Sequence, residues 1–219
     1  MNTRCLQIFA KAPVPGQVKT RMQPVLSPEE SAQLAKQLLI LTLQNSASLP
    51  HCTRQLWCSP DSTHPWFQAV AEKYDLQCFD QPEGDLGHRM WHAIHQGLKT
   101  HQEILLIGAD CPFLSRHYLE TCFLQLTEKN AMVISPANDG GYVLIGSNQP
   151  VPRILFEHIH WGSHTVLKET LAQLEKTDIQ YTLCPPLNDI DRPEDLKILP
   201  LHHHYPTDKI YSQSNDKTM

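Results

Sequence analysis

The chain has 219 residues, of which 41% are hydrophobic and 19% are charged. This length suits one or two domains, and this composition excludes disorder over most of the chain. The 18 Lys and Arg residues against 23 Asp and Glu residues leave a net charge of −5. Such a charge gives no basic field for nucleic acid or for an anionic membrane surface. No apolar run approaches the roughly 20 residues that span a bilayer, so we expect a cytoplasmic protein.

Short β-rich runs alternate with helical patterns along the whole sequence. This alternation predicts an α/β fold, a three-layer α/β/α sandwich around a mostly parallel sheet. We expect one domain over 1–200 and a polar, mobile tail over 201–219, with the oligomeric state left open. The strands are predicted at 6–10, 56–58, 76–79, 104–107, 132–134, 142–145 and 181–183. The helices are predicted from Pro28, from Pro65 to Tyr74, from Arg89 to Lys99, from Ser115 to Thr127, from Ser163 to Leu174 and, briefly, from Pro193.

The segment from Lys11 to Arg21 is a Gly/Pro-containing loop directly after the first strand. Backbone N–H groups around Gly16 can cradle an oxyanion, while Lys11 and Lys19 supply point charges and Arg21 a bidentate fork. The loop is not a Walker A motif, because Gly16 and Lys19 are three positions apart. A phosphate-binding loop and a surface loop with solvated cations fit the spacing about equally well.

Acidic residues follow three later strands, where ligands bind in parallel α/β sheets. Asp110 is placed to hold Mg²⁺, although a turn or cap residue would look the same. Asp189 and Asp191 point the same way if their segment is extended, so they can face Asp110 across a cleft. The Asp139-Gly140-Gly141 run is by itself an ordinary hairpin turn. Cations for phosphate and separated acids for a metal together indicate phosphoryl or glycosyl transfer.

Five motifs, in this order, resemble a known superfamily. They are the segment Phe9 to Arg21, Gly84-Asp85-Leu86-Gly87-His88-Arg89-Met90, Ile107-Gly108-Ala109-Asp110-Cys111-Pro112, Asp139-Gly140-Gly141-Tyr142 and Asp189-Ile190-Asp191-Arg192-Pro193-Glu194-Asp195-Leu196. The chain resembles the nucleotide-diphospho-sugar transferases of the GT-A fold. Within them it resembles a bacterial glycosyltransferase-like family of unclear substrate (DUF2064-type), which is similar to the 2-phospholactate and molybdenum cofactor guanylyltransferases.

The resemblance implies roles for individual residues. It implies that Lys19 and Arg21 contact phosphates, that Gly84, Asp85 and Leu86 line a base pocket, and that Asp110 and Asp191 hold Mg²⁺ or Mn²⁺. It also implies that the turn formed by Asp139, Gly140, Gly141 and Tyr142 faces a small-molecule acceptor, with Asp139 as a possible base. Two positions depart from the family pattern. Arg192 replaces a Thr that would cap a helix, and Gly162 interrupts a Trp-Ser-Thr pattern after Trp161.

Three functions fit this site. The first is glycosyl transfer from a nucleotide-sugar, in which an acceptor hydroxyl attacks the sugar carbon. The second is nucleotidyl transfer, guanylyltransferase-like, from an NTP to a small phosphorylated acceptor, with Lys19 and Arg21 stabilising charge at the α-phosphate. The third is a non-catalytic nucleotide sensor, which the two departures would allow. The cationic loop favours nucleotidyl transfer and the family resemblance favours glycosyl transfer. We rank the two nearly equal, with glycosyl transfer slightly ahead.

Overall fold

A computed structural model describes residues 3–199, so the predicted tail at 201–219 lies outside the described residues. Within that range strands and helices alternate as the sequence predicts. The strands are β1 (Arg4–Lys11), β2 (Cys52–Ser59), β3 (Gln77–Asp80), β4 (Glu103–Gly108), β5 (Met132–Pro136), β6 (Tyr142–Ser147) and β7 (Tyr181–Leu183). The helices are α1 (Pro28–Ser46), α2 (Pro65–Tyr74), α3 (Leu86–Gly97), α4 (Arg116–Gln125) and α5 (Val166–Leu174), with 3₁₀ turns at Thr20–Met22, Arg153–Phe156 and Pro193–Ile198.

The seven strands form one mixed sheet in the order β3-β2-β1-β4-β6-β5-β7. Only β6 runs antiparallel to its neighbours, β4 and β5. The predicted mostly parallel α/β sheet is therefore confirmed. In this order, the carboxyl ends of β1 to β5 and the amino end of β6 meet at the same edge of the sheet.

Two apolar clusters cover the two faces of the sheet and make the three layers. On one face, Leu39 of α1, Phe67 of α2 and Phe123 of α4 pack against β1 and β4. On the other face, Ile94 of α3 and Leu174 of α5 pack against the same strands and β5. Each helix thus buries one apolar stripe against the sheet, as its spacing predicts.

A third cluster ties the loop after β1 to the C-terminal 3₁₀ turn. Met22 and Leu26 pack with Leu38 of α1 and with Ile190 and Leu196. Met22 and Ile190 are completely buried. This third cluster therefore holds two segments about 170 positions apart in the chain against each other, and both carry predicted site residues.

The helix starts agree with the sequence at α1 and differ at α5. Ser27 accepts the N–H of Glu30, and the Glu30 side chain accepts the N–H of Ser27, which is the predicted capping box. The helix predicted from Ser163 instead begins at Val166, with Thr165 as its N-cap. The hydroxyl of Ser163 accepts the N–H of Thr165 at 3.2 Å. This local bond forms a turn ahead of the helix, so the prediction for Ser163 was wrong.

The cysteines are free thiols, and five of them are buried. Cys52 and Cys78 are only partly buried. The expectation of buried thiols therefore holds for five of the seven.

Candidate active site

A cation and two carboxylates from three distant segments meet at the carboxyl edge of the sheet. Nζ of Lys19 lies 3.1 Å from Oδ2 of Asp110 and 3.6 Å from Oδ1 of Asp191. Nη1 of Arg21 donates to Oδ2 of Asp191 at 2.7 Å. We call these four residues the Lys19 cluster. The expected approach of Asp191 to Asp110 is thus present, with an ammonium group between the two side chains.

The electrostatics of the Lys19 cluster favour its charged state. The Lys19 side chain is only 8% exposed, and burial opposes its charge. The attraction of Asp110 and Asp191 outweighs that burial, so the pKa of Lys19 is raised. Burial likewise opposes ionisation of Asp191, but Lys19 and Arg21 outweigh it, so the pKa of Asp191 is lowered. The cluster is therefore a preformed ion pair network rather than a set of solvated charges.

Local structure explains why Lys19 reaches the two carboxylates. Lys19 adopts a left-handed backbone (φ 49°) directly before the 3₁₀ turn at Thr20–Met22. The third cluster holds that turn against the C-terminal segment. On the opposite side, the N–H of Ile190 donates to the carbonyl of Asp110 at 3.0 Å. These contacts hold the segments that carry Lys19, Asp110 and Asp191 next to each other in the free protein.

A cavity of about 360 Å³ opens beside Asp110. We call it the larger cavity. Lys11 and Arg89 bring positive charge to its wall, while Leu86 and Met90 of α3 give it an apolar side. Its volume lies within the range of about 300–1,000 Å³ that small-molecule sites usually have. Sequence reasoning did not select Arg89, Ser59 or Gln81, which also line this cavity.

The predicted base-pocket segment divides between lining and structural roles. Leu86 lines the larger cavity, whereas Gly84 and Asp85 are not among its lining residues. Asp85 is the N-cap of α3 and accepts the N–H of His88 at 2.8 Å. The carbonyl of Gly84 accepts Nε–H of Arg89 at 3.0 Å, which positions Arg89. Gly16 also lies outside the cavity lining.

A second cavity of about 160 Å³ adjoins the first and is named here the Trp161 cavity. Its walls include Tyr142 and Gly141 of the predicted acceptor turn, together with Trp161 and Asp139. Oδ1 of Asp139 accepts the N–H of Gly141 at 2.9 Å, which fixes the turn. Gly140 is not among the lining residues but packs directly on the backbone of His164.

Asp189 is the carboxylate that lines both cavities. Burial, followed by the nearby charges of Asp110 and Asp139, raises the pKa of Asp189 to about 6. The sequence showed this residue only as the partner of Asp191 in an acidic motif. Its position between the two cavities depends on the fold of the last segment, which no local pattern reveals.

Replacing Asp189 with asparagine should stabilise the ligand-free protein at neutral pH. An acid whose pKa is raised on folding destabilises the fold where it is ionised, so the penalty is absent below about pH 4 and complete above about pH 6. After allowance for solvent screening, we expect a gain of about 1–2 kcal/mol at pH 7.5 and none at pH 4. Thermal unfolding at both pH values measures it. The control is Asp178→Asn, a substitution at an exposed position. An equal gain in the free energy of unfolding at both pH values would contradict the prediction.

The two departures from the family pattern leave the site intact. At Arg192 no side chain caps the turn, but Oδ2 of Asp195 accepts the N–H of Arg192 at 2.7 Å and that of Asp191 at 3.0 Å. Gly162 has a φ of 81°, and a Cβ there would lie 3.8 Å from Nη2 of Arg21. Asp195 therefore holds the backbone next to Asp191, and Gly162 lies close to Arg21, so neither position disrupts the Lys19 cluster.

The residues present suit a divalent cation that shares its coordination with a ligand. Across residues 3–199, no three His, Cys, Asp or Glu side chains come together as a protein-only metal site. Asp110 and Asp191 nevertheless hold one cationic group jointly, the ammonium of Lys19. Mg²⁺ in nucleotide sites commonly takes one or two carboxylates and completes its shell with phosphate oxygens and water.

Within the described range, no helix is long and apolar enough to cross a membrane.

Sequence comparison identifies the family. The profile of DUF2064, described as an uncharacterised protein conserved in bacteria, matches residues 42–163, just over half of the chain. The chain belongs to the DUF2064 family. The matched part of this DUF2064 protein contains Asp110, Asp139 and Leu86, whereas Lys19 and Asp191 lie outside it. The chain has no match among proteins of curated function.

Solved structures share the fold of this DUF2064 protein. A Desulfovibrio desulfuricans G20 protein, provisionally described as a nucleotide-diphospho-sugar transferase, is 25% identical with a TM-score of 0.82, covering 100% of this chain and 90% of its own. A cytidylyltransferase of Leptospira borgpetersenii is 13% identical with a TM-score of 0.56, and the match covers 91% of this chain and 85% of the cytidylyltransferase. Glucosyl-3-phosphoglycerate synthase of Mycobacterium tuberculosis, solved with Mn²⁺, UDP and phosphoglyceric acid, is 10% identical with a TM-score of 0.50, covering 89% and 73%. The predicted GT-A-type fold is confirmed, and these three structures are described as transferases.

Proposed function

We propose that this DUF2064 protein is a glycosyltransferase that binds a nucleotide-sugar in the larger cavity. One observation carries the proposal: the Lys19 cluster, with its lysine buried, lies at the carboxyl edge of the sheet, where Asp110 also lines the larger cavity. A diphosphate needs cations held in place. Lys11 lines the larger cavity, and Lys19 and Arg21 lie beside it through Asp110 and Asp191. The solved glycosyltransferase and cytidylyltransferase structures of similar fold support a transferase.

Asp110 and Asp191 are the residues that would hold Mg²⁺ or Mn²⁺. The metal would supply charge neutralisation to the departing diphosphate. The structure of glucosyl-3-phosphoglycerate synthase with Mn²⁺ and UDP is consistent with a metal in this fold. In the free protein the Lys19 ammonium balances the negative charge of these carboxylates, since it contacts both of them.

The chain's own residues divide the work of glycosyl transfer. Lys19 and Arg21 bind and orient the diphosphate, and Leu86 and Met90 form the apolar wall against which the nucleoside packs. Asp139 faces the neighbouring Trp161 cavity, where it can accept the proton of an attacking hydroxyl. The cavity walls exclude water from the sugar carbon when both substrates are present.

Nucleotidyl transfer is the second candidate, and the number of cations near the phosphate site favours it. Lys11 and Arg89 line the larger cavity, and Lys19 and Arg21 lie beside it. Cations in this number can stabilise charge that develops at an α-phosphate. The cytidylyltransferase of similar fold is consistent with this alternative.

A panel of nucleotides and nucleotide-sugars, with and without Mg²⁺ or Mn²⁺, tests the proposal by thermal shift. Binding raises the melting temperature according to RT ln(1 + [L]/Kd). We expect at least one nucleoside diphosphate or its sugar to stabilise the protein with metal, and Asp110→Asn to abolish the metal-dependent part. The exposed Asp178→Asn is the matched control. If no nucleotide shifts the parent protein under any condition, the proposal is wrong, and binding without turnover would indicate a sensor.

Steady-state kinetics of Lys19→Ala separates the two chemistries. In glycosyl transfer the diphosphate is present before and after the bond breaks, so loss of Lys19 chiefly raises KM. In nucleotidyl transfer Lys19 acts on charge that develops at the α-phosphate, so its loss chiefly lowers kcat. We expect the first pattern, with a rise of about ten- to a hundredfold in KM. An unchanged kcat/KM would remove Lys19 from the phosphate site.

A further inference from the structure

The Trp161 cavity has the size and the walls of a site for one small ring. Its volume is about 160 Å³, close to the roughly 150 Å³ of an apolar cavity that accepts benzene. Trp161, Met90 and Val166 contribute apolar surface. The rings of Tyr142 and Trp161 pack edge to face with their centroids 6.4 Å apart, within the range of about 4.5–7 Å for aromatic pairs. An aromatic wall of this kind suits the flat or apolar face of a ligand.

The wall is held in place by contacts outside the cavity. A Cβ on Gly87 would lie 2.6 Å from Cζ2 of Trp161, so the indole packs directly on the backbone of α3. Glu169 of α5 accepts the N–H of His160 at 2.7 Å and the hydroxyl of Thr165 at 2.8 Å. These bonds fix both ends of the loop that carries Trp161. The site is thus preorganised, which lowers the entropy cost of binding.

The charge of the Trp161 cavity has one sign. Asp139 and Asp189 line it, and no Lys, Arg or His is among its lining residues within the described chain. Arg21 approaches from the side of Gly162, and Lys11 and Arg89 line the larger cavity rather than this one. A phosphorylated or carboxylated ligand in the Trp161 cavity would therefore meet two carboxylates and no cation among the lining residues.

We propose that the Trp161 cavity binds an uncharged or cationic small acceptor, with a ring or apolar face against Trp161 and an O–H or N–H group toward Asp139. This inference rests on the proposed transferase function and adds the class of acceptor to it. It also separates this protein from enzymes of the same fold that act on a phosphorylated acid, such as the synthase solved with phosphoglyceric acid.

The chemistry of such an acceptor balances within the site. A new bond joins the acceptor oxygen or nitrogen to the anomeric carbon of the sugar. The bond between that carbon and the diphosphate oxygen breaks, and its electron pair leaves with the nucleoside diphosphate. The acceptor proton passes to the carboxylate of Asp139. An attacking hydroxyl, or the nitrogen of an unprotonated amine, loses a proton as this bond forms, and Asp139 lies in the cavity wall where it can accept that proton.

Ligand-observed NMR on the full chain tests the inference with matched probes. Glucosamine is compared with glucosamine 6-phosphate, and myo-inositol with inositol 1-phosphate, first without nucleotide. We expect each unphosphorylated probe to bind at least about tenfold more tightly than its phosphorylated partner. Because nucleotide is absent, this result stands apart from the thermal-shift panel that tests the transferase function. Addition of a stabilising nucleotide should not displace the probes.

Two variants locate the binding and test its electrostatic cause. Trp161→Ala should abolish probe binding, with the melting temperature recorded to confirm folding, and Trp161→Phe should restore part of it. Asp139→Asn should narrow the preference to about two- to threefold, while Asp178→Asn should leave it unchanged. Equal or tighter binding of the phosphorylated probes overturns the proposal. So does binding that survives in a folded Trp161→Ala, or the failure of both unphosphorylated probes to bind at tens of millimolar.

Discussion

Replacing Lys19 with methionine should make the nucleotide-free protein bind Mn²⁺ more tightly. In the parent protein the Lys19 ammonium lies 3.1 and 3.6 Å from the two carboxylates that would hold the metal. A metal ion that binds these carboxylates must either displace the Lys19 ammonium or bind close to its positive charge. Both cost free energy. Without the ammonium, Arg21 is the remaining cation paired with Asp191 among the described residues, and Asp110 keeps none. We expect the affinity for Mn²⁺ to rise by about ten- to a hundredfold, measured by electron paramagnetic resonance of free and bound Mn²⁺.

The same variant should bind nucleotide more weakly, so metal and nucleotide affinity move in opposite directions. Loss of a charge-assisted hydrogen bond to phosphate lowers affinity by about tenfold or more. Lys11→Met serves as control, because Lys11 lines the larger cavity but forms no ion pair with either carboxylate among the described contacts. It should leave Mn²⁺ affinity within a few-fold of the parent. Weaker Mn²⁺ binding by Lys19→Met would show that the ammonium does not compete with the metal.

Gly140→Ala should be the most destabilising single methyl addition in the acceptor turn. A Cβ on Gly140 would lie 2.1 Å from the carbonyl oxygen of His164, and its φ is 95°. The carbonyl of Gly140 also accepts the N–H of Leu167 at 2.9 Å, at the start of α5. The turn cannot move away without breaking that bond. We expect a loss of roughly 3–5 kcal/mol in the free energy of unfolding, measured by urea denaturation.

Gly16→Ala is the matched control for this prediction. Gly16 also has a positive φ, of 77°, but a Cβ there would meet nothing within 4 Å. Only the backbone strain remains, so the expected loss is about 1 kcal/mol. Losses of similar size in the two variants would show that strain at positive φ, and not packing on His164, dominates at Gly140.

The location of the candidate site could be predicted from the sequence because the sheet is mostly parallel. Once the strands ending at Lys11 and Gly108 are identified, the loops that follow them must share an edge, and Asp110 falls there without further information. The position of Asp110 beside the loop after the first strand could therefore be predicted from the order of the strands alone. The same argument predicted that the acidic residues near position 190 would approach Asp110.

The contacts inside the site could not be read in the same way. The reach of Lys19 depends on its left-handed backbone and on Met22 packing against Ile190, which is a long-range contact. Asp85 did carry a readable signal, since Asp before a helix commonly caps it, but the predicted helix began four residues later at Arg89. Ser163 and Thr165 are both good caps, and local propensity does not distinguish them.

The third cluster also sets when this site can exist during synthesis. Lys19 and Arg21 are made early, but their partner Asp191 lies 170 positions after Arg21. Ile190, which closes the apolar contact with Met22, is made equally late. Until the last described turn has been synthesised, the loop after β1 lacks Asp191 and the packing of Met22 on Ile190, although Asp110 is already present. The complete Lys19 cluster can therefore form only after the residues near position 190 have joined the rest of the fold.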